Sequence, residues 1–148
     1  MSKIIKIVYL DKKIDCLNYI KEFFLTSDLT FYNTNNSKPI SKIELQTFVD
    51  LDLALFWDYL KNNSVDLIFL DVYMTFDGVD LAYSISQIYP EVKIVLLSES
   101  IDYNTFIRAL CLSNIYGVFP KICNTKLFLS STLQIIQHNI KSFNYYNK

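Results

Sequence analysis

Little of this sequence is charged, and the charges nearly cancel. Charged residues make up 20% of the 148 and leave a formal net charge of −1, which provides no field for steering nucleic acid or an anionic membrane. No apolar run approaches the length of a membrane span. The start, Met1-Ser2-Lys3-Ile4-Ile5-Lys6, enters a strand-like stretch without the apolar core and cleavage site of a signal peptide. The three cysteines, Cys16, Cys111 and Cys123, are odd in number and lack metal-type spacing. The expectation is reduced thiols used in core packing, in a cytoplasmic protein. The single histidine, His138, falls on the last helical pattern without a catalytic partner and is expected at the surface. There are only two glycines, Gly78 and Gly117.

What is present is apolar: 51% of the chain is hydrophobic, with eleven Phe and eleven Tyr, enough for a real core and too much for disorder. Strand and helix signals alternate. Ile4 to Leu10 reads as a buried strand ending at Asp11. Ile14, Leu17, Ile20, Phe23 and Phe24 follow at helical spacing. Residues 27–42 hold Asn33, Asn35, Asn36, Ser37 and Pro39, which is loop chemistry, with Leu29 to Tyr32 a candidate extra strand. Ile43 to Phe48 alternates like a half-solvated strand, and Asp50 or Asp52 is expected to cap the helix carrying Leu53, Phe56, Trp57 and Leu60.

Val65 to Leu70 is nearly all apolar after Asp66, as a central parallel strand covered on both faces should be. It stops at Asp71. A helix over about 79–89, a strand over 92–97 ending at Ser98, a helix over about 102–112 and a strand over 116–119 complete the alternation. Lys121 comes next, before a helix carrying Leu127, Leu133, Ile135, Ile136 and Ile140. Residues 142–148 are expected to fray. Five strand–helix pairs imply one α/β domain, residues 1–141, with 27–42 an inserted loop. The sheet should be parallel, with right-handed crossovers and helices on both faces.

Ligands of open α/β sheets bind outside the carboxyl ends of the strands. Asp11, Asp71, Ser98 and Lys121 fall at those ends in order. A carboxylate nucleophile, a hydroxyl donor and an ammonium converging there could handle a phosphoryl group.

These residues resemble the receiver domain of two-component response regulators, a flavodoxin-like fold. Val65-Asp66-Leu67-Ile68-Phe69-Leu70-Asp71-Val72-Tyr73-Met74 is similar to the family's third strand and phosphoacceptor aspartate. Asp77-Gly78 resembles the Asp-Gly that closes the next loop, one residue nearer to Asp71 than usual. Pro90 to Ser98 is similar to the fourth strand with its Ser/Thr, and Gly117-Val118-Phe119-Pro120-Lys121 to the segment that delivers the lysine. Both glycines fall on family glycine positions.

The resemblance implies a sheet of order 2-1-3-4-5 with Asp71 as phosphoacceptor and Ser98 and Lys121 completing the site. It implies Mg²⁺ held by Asp11, Asp71 and the Tyr73 backbone carbonyl, with no organic cofactor. Activity is at most self-catalysed phosphoryl transfer to Asp71. The implied partners are a histidine kinase or phosphotransferase and a downstream protein, with neither nucleic acid nor membrane contacted directly. Output is expected through the fourth helix, fifth strand and fifth helix, a face that can also form a homodimer.

Several positions depart from the family pattern. Where two adjacent acids are usual, the chain has Asp11-Lys12. The helical register downstream aligns Lys12 with the second acid, normally a direct metal ligand, so Mg²⁺ binding should be weak. The Lys12 ammonium either extends into solvent or sits near Asp71 in the metal's place. Glu99, where a small residue is usual, either narrows access to the site or is a solvated loop residue. Thr75 replaces a common proline, Pro120 precedes the lysine instead of following it, and Val118 holds the place of a switching aromatic, with Tyr116 expected on the same face. Lys12 and Glu99 favour a second reading, a pseudo-receiver that binds partners without phosphate. A flavodoxin-type carrier lacks its phosphate loop here, since Asp11-Lys12-Lys13-Ile14 follows the first strand. A haloacid-dehalogenase-like phosphatase would need Asp-x-Asp at that place.

Overall fold

The computed structural model describes residues 3–26, 40–121 and 125–143. In chain order the elements are β1 (Lys3–Asp11), α1 (Ile14–Thr26), β2 (Ile40–Val49), α2 (Leu53–Asn62), β3 (Leu67–Asp71), α3 (Gly78–Ile88), β4 (Lys93–Ser98), α4 (Tyr103–Leu110), β5 (Ile115–Pro120) and α5 (Thr125–His138). All five strands are parallel, in the order β2-β1-β3-β4-β5. This is the flavodoxin-like architecture that the alternation and the resemblance implied. Among the described residues no helix is long and apolar enough to cross a membrane.

β3 is central because Leu67 to Leu70 are apolar and seek cover on both faces: all five of its residues are buried. Its side chains alternate between two apolar layers, as a period of two requires. Leu67 and Phe69 pack with Leu17, Ile20 and Phe24 of α1 and with Phe128, Leu129 and Leu133 of α5. Ile68 and Leu70 pack with Phe56 and Leu60 of α2, Ala82 and Ile85 of α3, and Ala109 of α4. Phe69 stacks on Phe24 and meets the rings of Tyr9 and Phe128. Each such side chain fully buried contributes roughly 1.5–3 kcal/mol. Cores on both faces bring β1, β3 and β4 to a common end, where their last residues gather.

Several local expectations are corrected. β2 begins at Ile40, so the last three residues of the expected 27–42 insert are strand; Leu29 to Tyr32 lies outside the described residues. Neither Asp50 nor Asp52 caps α2 with its side chain. Asp50 is buried and accepts the Thr75 amide at 2.9 Å, holding the loop after β3 instead. Tyr116 and Val118 do not share a face. The β4–β5 register slips between Ile94/Val95 and Ile115/Gly117, so β5 carries an extra residue there. Tyr116 therefore turns to the α1/α5 layer, and Val118 to the other.

The chain after α5 is tied down as far as Phe143. Ser142 bridges Gly117 on the free edge of β5, donating to the Tyr116 carbonyl at 2.7 Å and accepting from Val118 at 3.3 Å. A Cβ on Gly117 would stand 2.6 Å from the Ser142 carbonyl oxygen, which is why this strand position carries glycine. Ile140 lies beyond α5 and is exposed, as is Leu127 within it. Cys16 packs half-buried against the core, whereas Cys111 is exposed, and Cys123 lies outside the described residues. His138 is exposed, as expected.

Candidate functional site at the carboxyl end of the sheet

β1, β3 and β4 end in Asp11, Asp71 and Ser98, exposed to 0%, 2% and 1%, and the chain beyond β5 brings in Lys121, its side chain 6% exposed. The Lys121 amide donates to the Ser98 carbonyl at 3.0 Å, and the side chain turns inward. Its Nζ stands 2.9 and 3.2 Å from the two carboxylate oxygens of Asp11 and 3.2 Å from Asp71 Oδ1. One buried ammonium thus joins two buried carboxylates. Burial works against the Lys121 charge, but its bonds to both aspartates prevail and hold its pKa above the ordinary value.

Asp11 is saturated. Tyr9, two residues earlier and so on the same face of β1, donates its hydroxyl to Oδ2 at 2.5 Å, and the Lys13 amide donates to Oδ1 at 2.9 Å. Burial and the neighbouring Asp11 charge together drive the Tyr9 phenol well above its usual pKa. Nothing in the sequence flagged Tyr9, because a tyrosine in an apolar strand looks like packing. The two-residue offset from Asp11 was the available signal.

Asp71 is not saturated: Oδ2 is buried and has no hydrogen-bond partner. Burial first, then the charge of Asp11, raises its pKa to about 6, against the pull of Lys121. Asp71 lines a cavity of about 120 Å³ together with Lys12, Tyr73, Ser98, Glu99, Ser100 and Lys121. The Ser98 hydroxyl donates to the Ser100 carbonyl, so it is turned along its own loop. Lys12 is exposed, and among the described residues it makes no hydrogen bond or ion pair. Glu99 is also exposed and is ion-paired to Lys13, joining the β1–α1 and β4–α4 loops over the site.

The loop from Val72 to Asp77 is built around Gly78, whose amide donates to the Val72 carbonyl at 2.8 Å. A Cβ there would lie 2.2 Å from the Asp71 carbonyl oxygen, so only glycine lets α3 start this close to Asp71. Asp77 caps α3 by accepting from Val79 and Asp80 at 2.8 and 3.1 Å. It also receives Arg108 of α4 at 3.0 Å, while the same guanidinium reaches Asp80 at 2.7 Å. The Tyr73 hydroxyl donates to Asp102, the cap of α4, at 2.8 Å. These ties between the Asp71 loop and α4 were also invisible in the sequence, since they join residues about thirty positions apart.

Among the described residues no three carboxylate, imidazole or thiol groups converge in a way that could hold a metal ion. Both oxygens of Asp11 are already bonded, which leaves Asp71 Oδ2 as the free carboxylate oxygen of the pair.

No family model and no curated protein matches the sequence, but solved structures do. The chain is similar to the signal receiver domain of an HD domain-containing protein from Pseudomonas fluorescens Pf-5, with 20% identity, TM-score 0.69, and 89% of this chain and 94% of that one covered. It is similar to the isolated REC domain of RcsB from Salmonella enterica serovar Typhimurium, in the presence of the phosphomimetic BeF3-, with 17% identity, TM-score 0.73, and coverage of 95% and 94%. A response regulator from Thermotoga maritima gives 15%, 0.69, and coverage of 90% and 98%. At these identities it is the architecture that is shared: this chain has the fold of the response regulator receiver (CheY-like) domains.

Proposed function

We propose that the chain is a receiver in a cytoplasmic phosphorelay and that Asp71 is its phosphoacceptor. The observation that carries this is Asp71 at the end of the central strand: its Oδ2 is buried without a partner, and the residue lines a small cavity with Ser98 and Lys121. In this reading the Asp71 carboxylate attacks the phosphorus of a phosphohistidine on a histidine kinase or phosphotransferase. The P–N bond breaks, and the imidazole nitrogen leaves and takes up a proton. Lys121 holds the two carboxylates in place and neutralises part of the charge that gathers.

The output in this reading is contact with another protein, or with a second copy, through α4, β5 and α5. Tyr103, Ile107 and Leu110 form an exposed apolar stripe along α4, at the spacing of a helix face prepared for a partner. The Tyr73–Asp102 and Arg108–Asp77 contacts link that helix to the loop after Asp71. A charge change at Asp71 therefore has a physical route to the stripe.

The second reading, an adaptor that needs no phosphate, is favoured by Lys12 in place of an acid and by the Lys13–Glu99 pair over the site. Incubation with phosphoramidate at high Mg²⁺, read by intact mass, separates the two. Gain of one phosphoryl group by the wild type and none by Asp71→Asn is the expected result. An unmodified wild type would leave the adaptor.

A further inference from the structure

We infer that Lys12 is the cation that receives the phosphoryl group at Asp71, so that this site works without a divalent metal ion. The inference rests on the phosphoacceptor reading. It starts from which charges near Asp71 are already committed. Lys121 is spent on Asp11 and Asp71, and Lys13 on Glu99. Asp11, Asp71 and Lys121 together leave one negative charge, and Lys12, lining the same cavity, cancels it.

A dication has no comparable place. It would have to displace Tyr9, Lys13 or Lys121 from Asp11 to gain a second carboxylate oxygen, and it would share its cavity with Lys12. Mg²⁺ is usually held by one or two carboxylates, with waters and phosphate oxygens completing its octahedron; here Asp71 Oδ2, with the Tyr73 segment in the same cavity, is the one carboxylate oxygen left to it.

Phosphoryl transfer adds one negative charge where Asp71 stood, so the site ends one charge negative with Lys12 and would end two negative without it. Lys12 can turn to the phosphoryl oxygens because its side chain is exposed, without a bond among the described residues, and flexible over four carbons. With phosphoramidate as donor, Asp71 Oδ2 forms the new O–P bond, the P–N bond breaks and ammonia leaves after taking up a proton. Lys12 bonds the phosphoryl oxygens as the charge develops, while Lys121 keeps its place between Asp11 and Asp71.

The test compares phosphoramidate labelling of wild type, Lys12→Gln, Lys12→Arg and Lys12→Asp, each in EDTA and in Mg²⁺. Mn²⁺ binding is measured by calorimetry in parallel. Wild type should label in EDTA at a rate that Mg²⁺ changes less than about twofold, and Lys12→Gln should slow roughly ten- to a hundredfold. Lys12→Arg should stay within a few-fold of wild type. Lys12→Asp should be silent in EDTA, recover in Mg²⁺ and bind Mn²⁺ where wild type does not. Unchanged thermal unfolding of Lys12→Gln would show that its slower labelling is not a folding defect. Labelling of the wild type only with Mg²⁺, or equal rates for wild type and Lys12→Gln, would overturn the role of Lys12 and leave Asp71 as phosphoacceptor. No adduct on any variant, Lys12→Asp in Mg²⁺ included, would overturn both.

Discussion

Asp11 and Asp71 end adjacent strands of the same sheet, are buried to the same depth, and are bonded by the same lysine. They are in opposite states. Asp11 takes hydrogen bonds from a phenol, a backbone amide and an ammonium, whereas Asp71 takes only the ammonium and keeps one oxygen bare. The difference comes from what the chain does next. After β1 it turns directly into α1, and the Lys13 amide folds back onto Asp11. After β3 it runs out through a loop whose amides serve other acceptors: Val72 the Leu97 carbonyl, Met74 that of Phe76, Thr75 the Asp50 carboxylate, and Gly78 the Val72 carbonyl. A buried carboxylate is stabilised as an anion by the donors it has. Asp11 is therefore built as an anchor, and Asp71 is left chemically available.

Removing the anchor should have the largest effect. Asp11→Asn strips Lys121 of its principal partner and sets an amide against the Tyr9 hydroxyl. It should cost about 2–4 kcal/mol of folding free energy in urea titrations at pH 7.

Removing the available carboxylate should change the sign. The folded pKa of Asp71, about 6, lies above the unfolded value. Its favourable contribution is therefore fully present below about pH 4 and lost as pH rises through about 6. Asp71→Asn escapes that loss. It should be more stable than wild type by about 1–3 kcal/mol above pH 7 and show little gain near pH 4. Urea unfolding of both proteins from pH 4 to 8 measures this, and parallel curves would break the contrast.

The smallest effect sharpens it. Tyr9→Phe removes one of several donors to Asp11 and should cost about 1–2 kcal/mol. It should leave the pH dependence centred near 6, because Tyr9 bonds Asp11 and not Asp71.

Much of the fold was legible before any coordinates. The run from Leu67 to Leu70 announces a strand covered on both faces, and all ten strand and helix patterns correspond to elements. The boundaries that moved did so for tertiary reasons. Asp50 looked like a cap, but the Thr75 amide brought across from the β3–α3 loop claims it. Ser142 looked like the start of a frayed tail, but the free edge of β5 offers it backbone partners beside a glycine. Tyr116 followed the period-two rule until the extra residue in β5 turned it over. Each is an interaction between segments far apart in sequence, which local periodicity does not encode.

The site divides the same way. The sequence by itself determined that Asp11, Asp71, Ser98 and Lys121 would meet, because parallel strands of one sheet end on one side and these residues end or directly follow them. It also determined that a lysine, Lys12, directly follows Asp11, where the resemblance implies a second acid. Only the tertiary structure decided which carboxylate is filled and which is bare. That depends on where Tyr9, the Lys13 amide and the Lys121 ammonium come to rest once both sheet faces are packed, and on loop amides drawn away to other acceptors. Hydrogen-bond saturation is a property of the assembled end of the sheet, and no single segment carries it.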